Sequence, residues 1–168
     1  NDYKEYLSLP RRTQQAIKQG AKTLFQARFE AGEITCITDI VHIVDEKTVD
    51  LYEIKSTTSV KPDHEYDLAF QMLVLEGAGY TVRKICVIHI NKDYVRLGEI
   101  DPLALTKITD ITESVKSKRE ETEKNIKRAL AVLALPEMPN PSPSLAMHGS
   151  YKHWLDIYRR LTNLPPYS

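Results

Sequence analysis

The sequence has little cysteine, no net charge and no long apolar run. Its two cysteines, Cys36 and Cys86, lie inside apolar segments rather than in a spaced framework. This usage excludes a disulfide-stapled miniprotein, offers zinc no thiolate site and predicts a reducing compartment. The 23 basic and 23 acidic residues balance, which argues against a general polyanion-coating protein. Every apolar stretch is interrupted before the roughly 20 residues of a bilayer span, so we expect a cytoplasmic protein with no membrane segment.

What is present suffices for one folded domain of ordinary size, since 42% of the 168 residues are apolar and 27% are charged. Hydrophobic periodicity predicts an α/β fold with a central mixed β-sheet flanked by helices. The predicted strands cover residues 24–30, 34–44, 49–56 and 84–90, with an edge strand over 94–98. The predicted helices cover residues 10–19, 63 or 64 to 77 or 79, 111–135 and 151–161. Leu68, Met72 and Leu75 form the buried stripe expected on the second of them. The proline-rich segment 136–143 is expected to wrap the surface in extended form. Residues 1–135 would then form the core, with 136–168 packed on it.

The first two strands predict which side chains face the core. Phe25, Ala27 and Phe29 share one side of the first strand, which we expect to be buried. The second strand is apolar on both sides, as in a central strand, with Ile37 and Val41 expected on the same side.

Three charged residues on the next two strands carry the chemistry. Asp39 lies in the middle of an apolar strand, where an ionised carboxylate has lost its water and requires compensation. Glu53 and Lys55 are two residues apart, so their side chains leave the same face of the sheet. Hard oxygen ligands from different strands favour Mg²⁺ over Zn²⁺, which predicts a phosphodiester substrate.

This interpretation makes a demand on the hairpin between the two strands. If Asp39 lies opposite Glu53, the last pair is Ile43 with Val49 and the loop has five residues. A four-residue loop would send Glu53 to the other face, because a slip of one residue inverts the alternation. We therefore predict an odd loop or a β-bulge between Asp39 and Glu53.

Asp39, the triplet Glu53-Ile54-Lys55 and a helix bearing Gln71 together resemble the motif of the PD-(D/E)XK nuclease superfamily. Within it they resemble the RecB-like branch, which includes the CRISPR-associated RecB-type exonucleases. The likeness is closest over residues 25–115, which are similar to the nuclease module of a group of bacterial RecB-family proteins. Longer members of that group have a further C-terminal domain, so the resemblance implies a longer parent protein.

The resemblance implies a restriction-endonuclease-like core with a C-terminal helical extension, acting on DNA as a divalent-metal-dependent exonuclease. Asp39 and Glu53 would hold Mg²⁺ or Mn²⁺, together with the backbone carbonyl of Ile54. Lys55 would orient or deprotonate the attacking water and stabilise charge on the phosphate. Gln71 matches the glutamine of the RecB-type QxxxY element, which positions the active site and the nucleic acid strand.

The chain departs from this family pattern at three points. The tyrosine expected four residues after the glutamine is Leu75, so Tyr66 or Tyr80 would have to make its contact. The predicted first helix has no carboxylate, which leaves Gln14 or Gln15 as neutral substitutes for the usual ligand. Relatives often bind an iron–sulfur cluster near the C-terminal end, but residues 147–159 contain no cysteine, so we predict no cluster.

Three alternatives remain at this stage. Lys61, in the loop after Lys55, is either a phosphate contact or a solvated lysine. Gln71 is either a site residue or a core amide satisfied by the backbone. The whole chain is either a nuclease, with exonuclease preferred over restriction-type endonuclease, or a catalytically degenerate nuclease fold that binds nucleic acid or protein.

Overall fold

The computed structural model describes residues 3–137, 157 and 159–161, with side chains from residue 5 onward. The chain divides into two compact units, Asn1–Lys127 and Arg128–Ser168. The predicted helix over 151–161 and the proline-rich wrap lie largely outside the described residues, and the predicted boundary at 135 stays a prediction. No helix among the described residues has the length and apolar character needed to cross a bilayer.

The structure confirms the α/β class and the mixed sheet flanked by helices. The helices are α1 (Tyr3–Lys18), α2 (Pro62–Gly77), α3 (Pro102–Leu105), α4 (Thr112–Ser117) and α5 (Arg119–Leu133). The strands are β1 (Thr23–Ala31), β2 (Ile34–Ile43), β3 (Thr48–Lys55), β4 (Thr81–Ile90) and β5 (Thr106–Asp110). The sheet order is β1-β2-β3-β4-β5, in which only β3 and β4 pair in parallel. Because a parallel pair needs a crossover connection, α2 runs between β3 and β4.

The core lies between the sheet and α2. The expected stripe of α2, Leu68, Met72 and Leu75, is fully buried against strand residues such as Leu51 and Val87. Burial of this kind contributes about 1.5–3 kcal/mol for each large apolar side chain. This packing therefore fixes which side of α2 faces the sheet. It also fixes where the polar side chains on that side point.

The β2–β3 hairpin has the predicted register. Ile43 pairs with Val49 and Ile40 with Tyr52, which leaves the five residues 44–48 between the last paired residues. The Asp45 side chain accepts hydrogen bonds from the backbone N–H groups of Lys47 and Thr48, at 2.9 and 2.8 Å, and closes the turn. The odd loop is confirmed, and Asp39 and Glu53 occupy opposing register positions.

The helix predicted from Pro10 was wrong at its start, because α1 begins at Tyr3 and holds Pro10 in its interior. Proline has no N–H to donate to the carbonyl four residues earlier. That carbonyl belongs to Tyr6, and it accepts a hydrogen bond from Nη1 of Arg28 on β1 at 3.1 Å. The Arg28 guanidinium also lies 4.1 Å from the centre of the Tyr6 ring. A partner distant in sequence thus supplies the bond that proline removes.

The predicted alternation along β1 and β2 was wrong, because it does not continue through Gln26 and Asp39. Phe25 is 71% exposed, whereas Ala27 and Phe29 are buried, and Ile37 is 38% exposed, whereas Val41 is buried. The backbone of Gln26 has φ = 51°, in the left-handed region. The alternation of buried side chains inverts where Gln26 and Asp39 oppose each other.

Two further elements differ from the predictions. Residues 94–98 form no strand, and the edge strand is β5, whose short polar sequence has weak periodicity. The single helix predicted over 111–135 is divided at Lys118 into α4 and α5.

Candidate active site

The candidate site lies where β2 and β3 separate. The last backbone pair at this end of the ladder is Ile40 with Tyr52. At the next position the Asp39 carboxylate, rather than a backbone carbonyl of β2, accepts the hydrogen bond from β3. Its Oδ2 accepts a hydrogen bond from the backbone N–H of Ile54 at 2.8 Å. The predicted metal ligand thus contacts the peptide segment that joins the other predicted residues, Glu53 and Lys55.

A second donor holds the other oxygen of Asp39. Nε2 of Gln26 on β1 donates to Oδ1 of Asp39 at 2.8 Å. A carboxylate oxygen can accept more than one bond, so both oxygens of Asp39 keep the capacity to bind a cation.

Glu53 and Lys55 form the centre of the site. Lys55 Nζ lies 2.8 Å from Oε1 of Glu53 and 2.7 Å from Oδ2 of Asp67 on α2. The side chain of Glu53 is only 10% exposed and that of Lys55 24%, so water screens this ion pair incompletely. The glutamate and the lysine leave the same face of β3, as predicted.

Gln71 joins the same cluster from α2. Its Nε2 donates to Oε2 of Glu53 at 3.1 Å and makes a longer contact of 3.4 Å with Oδ1 of Asp67. Gln71 is 4% exposed, and its Oε1 atom is buried without a hydrogen-bond partner. Since buried polar atoms are nearly always paired, this acceptor indicates a group that completes it. The prediction of a core amide satisfied by the backbone does not account for these contacts.

The charge state of Lys55 follows from its neighbours. Burial alone would lower its pKa, but the hydrogen bonds to Asp67 and Glu53 and the charges of these carboxylates outweigh burial and raise the pKa above its usual value. Lys55 therefore carries a proton throughout the neutral range. Lys55 thus lies as one ammonium between two carboxylates, and Asp39 is joined to this cluster through the backbone N–H of Ile54.

The donor set suits a hard divalent ion. Asp39 and Glu53 have carboxylate oxygens, Gln71 has an unpaired amide oxygen, and the Ile54 carbonyl is the further ligand that the resemblance implies. Oxygen ligands with places left for water are typical of Mg²⁺. Among the described residues, no three His, Cys, Asp or Glu side chains form a group able to hold a metal ion. A Mg²⁺ ion here would hence depend on the backbone, on Gln71 and on water for its remaining ligands.

Three other groups of predicted residues lie outside this cluster. Lys61 precedes the first turn of α2 and has an exposed side chain beside Val60 and Glu65. The hydroxyl of Tyr66 donates to Glu121 of α5 at 2.6 Å. Gln14 of α1 lines a separate depression near Tyr80, so it supplies no ligand to the cluster. Ile54 takes part through its backbone, while its side chain is 54% exposed.

Sequence reasoning missed Gln26 and Asp67. Asp67 precedes Gln71 by one helical turn, and residues four apart share a helix face, so this spacing was a usable signal. Gln26 gave no comparable signal, because its contact with Asp39 depends on the strand register and on a left-handed backbone.

In comparisons with known proteins, no family model matches the chain and no curated protein shows significant similarity to it. The class of the site therefore rests on its residues and their geometry.

The same cluster affects Cys36, which is buried on β2. Loss of solvent raises the pKa of its thiol to about 12, and the charges of Asp67 and Glu53 add to the increase. Since the thiolate is the reactive form, we expect both Cys36 and the fully buried Cys86 to resist a thiol reagent in the native protein at about pH 8 and to react rapidly in denaturant. Counting labelled thiols by mass spectrometry checks this. Rapid native labelling of Cys36 would contradict the described burial.

Proposed function

We propose that this chain is a divalent-metal-dependent nuclease that hydrolyses DNA phosphodiester bonds, with exonuclease action preferred. The observation that carries the proposal is the convergence of Asp39, the Glu53–Lys55 segment and Gln71 at the point where β2 and β3 separate. The resemblance of the sequence to PD-(D/E)XK nucleases of the RecB-like branch supports it, because the residues of that motif are those that meet here.

Each residue has a chemical role in this proposal. Asp39 and Glu53 would hold Mg²⁺ or Mn²⁺ together with the carbonyl of Ile54. When bound, the ion would lower the pKa of the attacking water and neutralise charge on the phosphate. Lys55, which stays protonated, would orient that water and stabilise the negative charge that develops on the phosphoryl oxygens. The unpaired Oε1 of Gln71 would accept a hydrogen bond from water in the site.

The raised pKa of Lys55 favours one of its two predicted roles. In the metal-free protein Lys55 is protonated, and a protonated amine cannot take a proton from water, so we assign Lys55 a role through charge and position. Water attacks the phosphorus atom in line with the leaving oxygen and releases a proton to solvent. The P–O bond to the leaving oxygen breaks, and that oxygen takes up a proton from solvent.

Metal-linked unfolding and DNA cleavage test the proposal together. Free Mn²⁺ at about ten times its Kd is expected to stabilise the protein by about 1.4 kcal/mol, seen as a rise in Tm. Glu53→Gln removes a ligand charge and should abolish both the rise in Tm and the cleavage of end-labelled DNA. Exonuclease action predicts degradation of linear DNA while closed circular DNA stays intact. Absence of both a Mn²⁺-linked shift and EDTA-sensitive cleavage would contradict the proposal.

A second candidate is a degenerate nuclease fold that binds nucleic acid without cutting it. Two observations favour it. Lys55 already forms an ion pair with Glu53, and the described residues contain no three-residue metal group of His, Cys, Asp or Glu. This candidate predicts DNA binding that is unchanged by EDTA and by Glu53→Gln. The same titration therefore separates the two functions.

A further inference from the structure

Gln26 combines a strained backbone with a contact in the candidate site. Among the described residues it is the only one other than glycine with a positive φ, 51°. In this region the Cβ of an L-residue crowds the backbone carbonyl, so the conformation is unfavourable for glutamine and costs a glycine nothing comparable. If only this backbone conformation mattered at position 26, glycine or asparagine would be favoured there.

The place of Gln26 in the sheet links this strain to Asp39. In the β1–β2 ladder Phe25 pairs with Ile40 and Ala27 with Thr38, so Gln26 lies opposite Asp39. At this point the burial pattern inverts on both strands. The extended side chain of Gln26 spans the distance to Asp39 and donates to Oδ1 at 2.8 Å.

The bond fixes the direction of a carboxylate. Oδ2 of Asp39 is held by the Ile54 N–H and Oδ1 by Gln26, so one donor fixes each oxygen. Without Gln26 only the Ile54 N–H would hold the carboxylate, and Oδ1 would have no fixed donor. Removing a residue that hydrogen-bonds a metal ligand typically weakens metal binding about 10–100-fold.

We propose that Gln26 is a positioning residue that holds the Asp39 carboxylate for cation binding, and that the left-handed backbone at Gln26 persists because this bond requires it. This inference rests on the proposed function. It predicts that one substitution, Gln26→Gly, raises stability and lowers metal affinity.

Two variants of the full chain test the inference, with Mn²⁺ affinity measured by calorimetry and Tm measured without metal. Gln26→Gly relieves the backbone and removes the amide, so Tm should rise while Mn²⁺ affinity falls about 10–100-fold. Gln26→Met keeps the chain length but has no donor, so affinity should fall, and it lacks the tolerance of glycine for a positive φ, so Tm should not rise. Thr23→Gly, which substitutes an exposed position of the same strand, should leave Mn²⁺ affinity unchanged.

The outcomes separate this inference from the proposed function. If wild type binds Mn²⁺ and cuts DNA while both Gln26 variants keep its affinity, Gln26 is merely structural and the inference is overturned alone. If wild type binds no Mn²⁺, the proposed function and the inference are both overturned. A weaker affinity in a variant whose Tm equals or exceeds that of wild type supports the inference, because partial unfolding cannot explain it.

Discussion

Lys55→Met is expected to slow DNA cleavage at least 100-fold while Mn²⁺ binds more tightly than in wild type. The two effects have one cause. Lys55 Nζ lies 2.8 Å from Oε1 of Glu53, so in wild type a bound cation competes with the ammonium for this carboxylate. Methionine removes the competitor, whereas the charge that stabilises the phosphoryl oxygens is lost, an effect of about 10²–10³ in rate.

Single-turnover cleavage at saturating Mn²⁺ and calorimetric titration measure the two quantities separately. Lys47→Met is the matched control, because Lys47 lies exposed in the β2–β3 turn and should change neither rate nor affinity. Weaker Mn²⁺ binding in Lys55→Met would show that the lysine supports the metal site instead of competing for it. Full cleavage activity would remove Lys55 from the chemistry.

Leu68→Ala is expected to lower the free energy of unfolding by about 2–5 kcal/mol. Leu68 is fully buried on α2, between the turns that carry Asp67 and Gln71. The substitution removes apolar contacts and leaves a cavity that close-packed neighbours fill only in part. Urea unfolding should show a lower midpoint with an unchanged slope.

Leu103→Ala is the control for this substitution. Leu103 is 89% exposed on α3, so the same chemical change should alter stability by no more than about 0.5 kcal/mol. Equal effects of the two substitutions would contradict the packing of α2 on the sheet.

Local patterns predicted much of the fold and part of the site. The period of two along β2 and β3 and the apolar stripe of α2 gave the strands, the helix and the buried face. The requirement that Asp39 oppose Glu53 gave the odd loop, which the register confirms. These features depend on residues near one another in sequence, where periodicity is informative.

The errors fall where a distant group changes a local preference. Arg28 lies on β1 and is no part of the helical pattern of α1. Its bond to the Tyr6 carbonyl nevertheless lets the helix continue through Pro10. The inversion at Gln26 depends on a side chain of the neighbouring strand. Neither contact leaves a periodic trace, so the extent of α1 and the exposure of Phe25 could not be predicted from the sequence.

Asp39 serves the architecture of the sheet as well as the proposed chemistry. Its carboxylate accepts the Ile54 N–H at the position where a neighbouring strand's carbonyl would otherwise do so. Alanine at this position would leave a main-chain donor unpaired and would also remove a proposed metal ligand, whereas asparagine would preserve an acceptor. Inactivity of an alanine mutant would therefore confound scaffold damage with lost catalysis, and the amide is the cleaner probe of this residue.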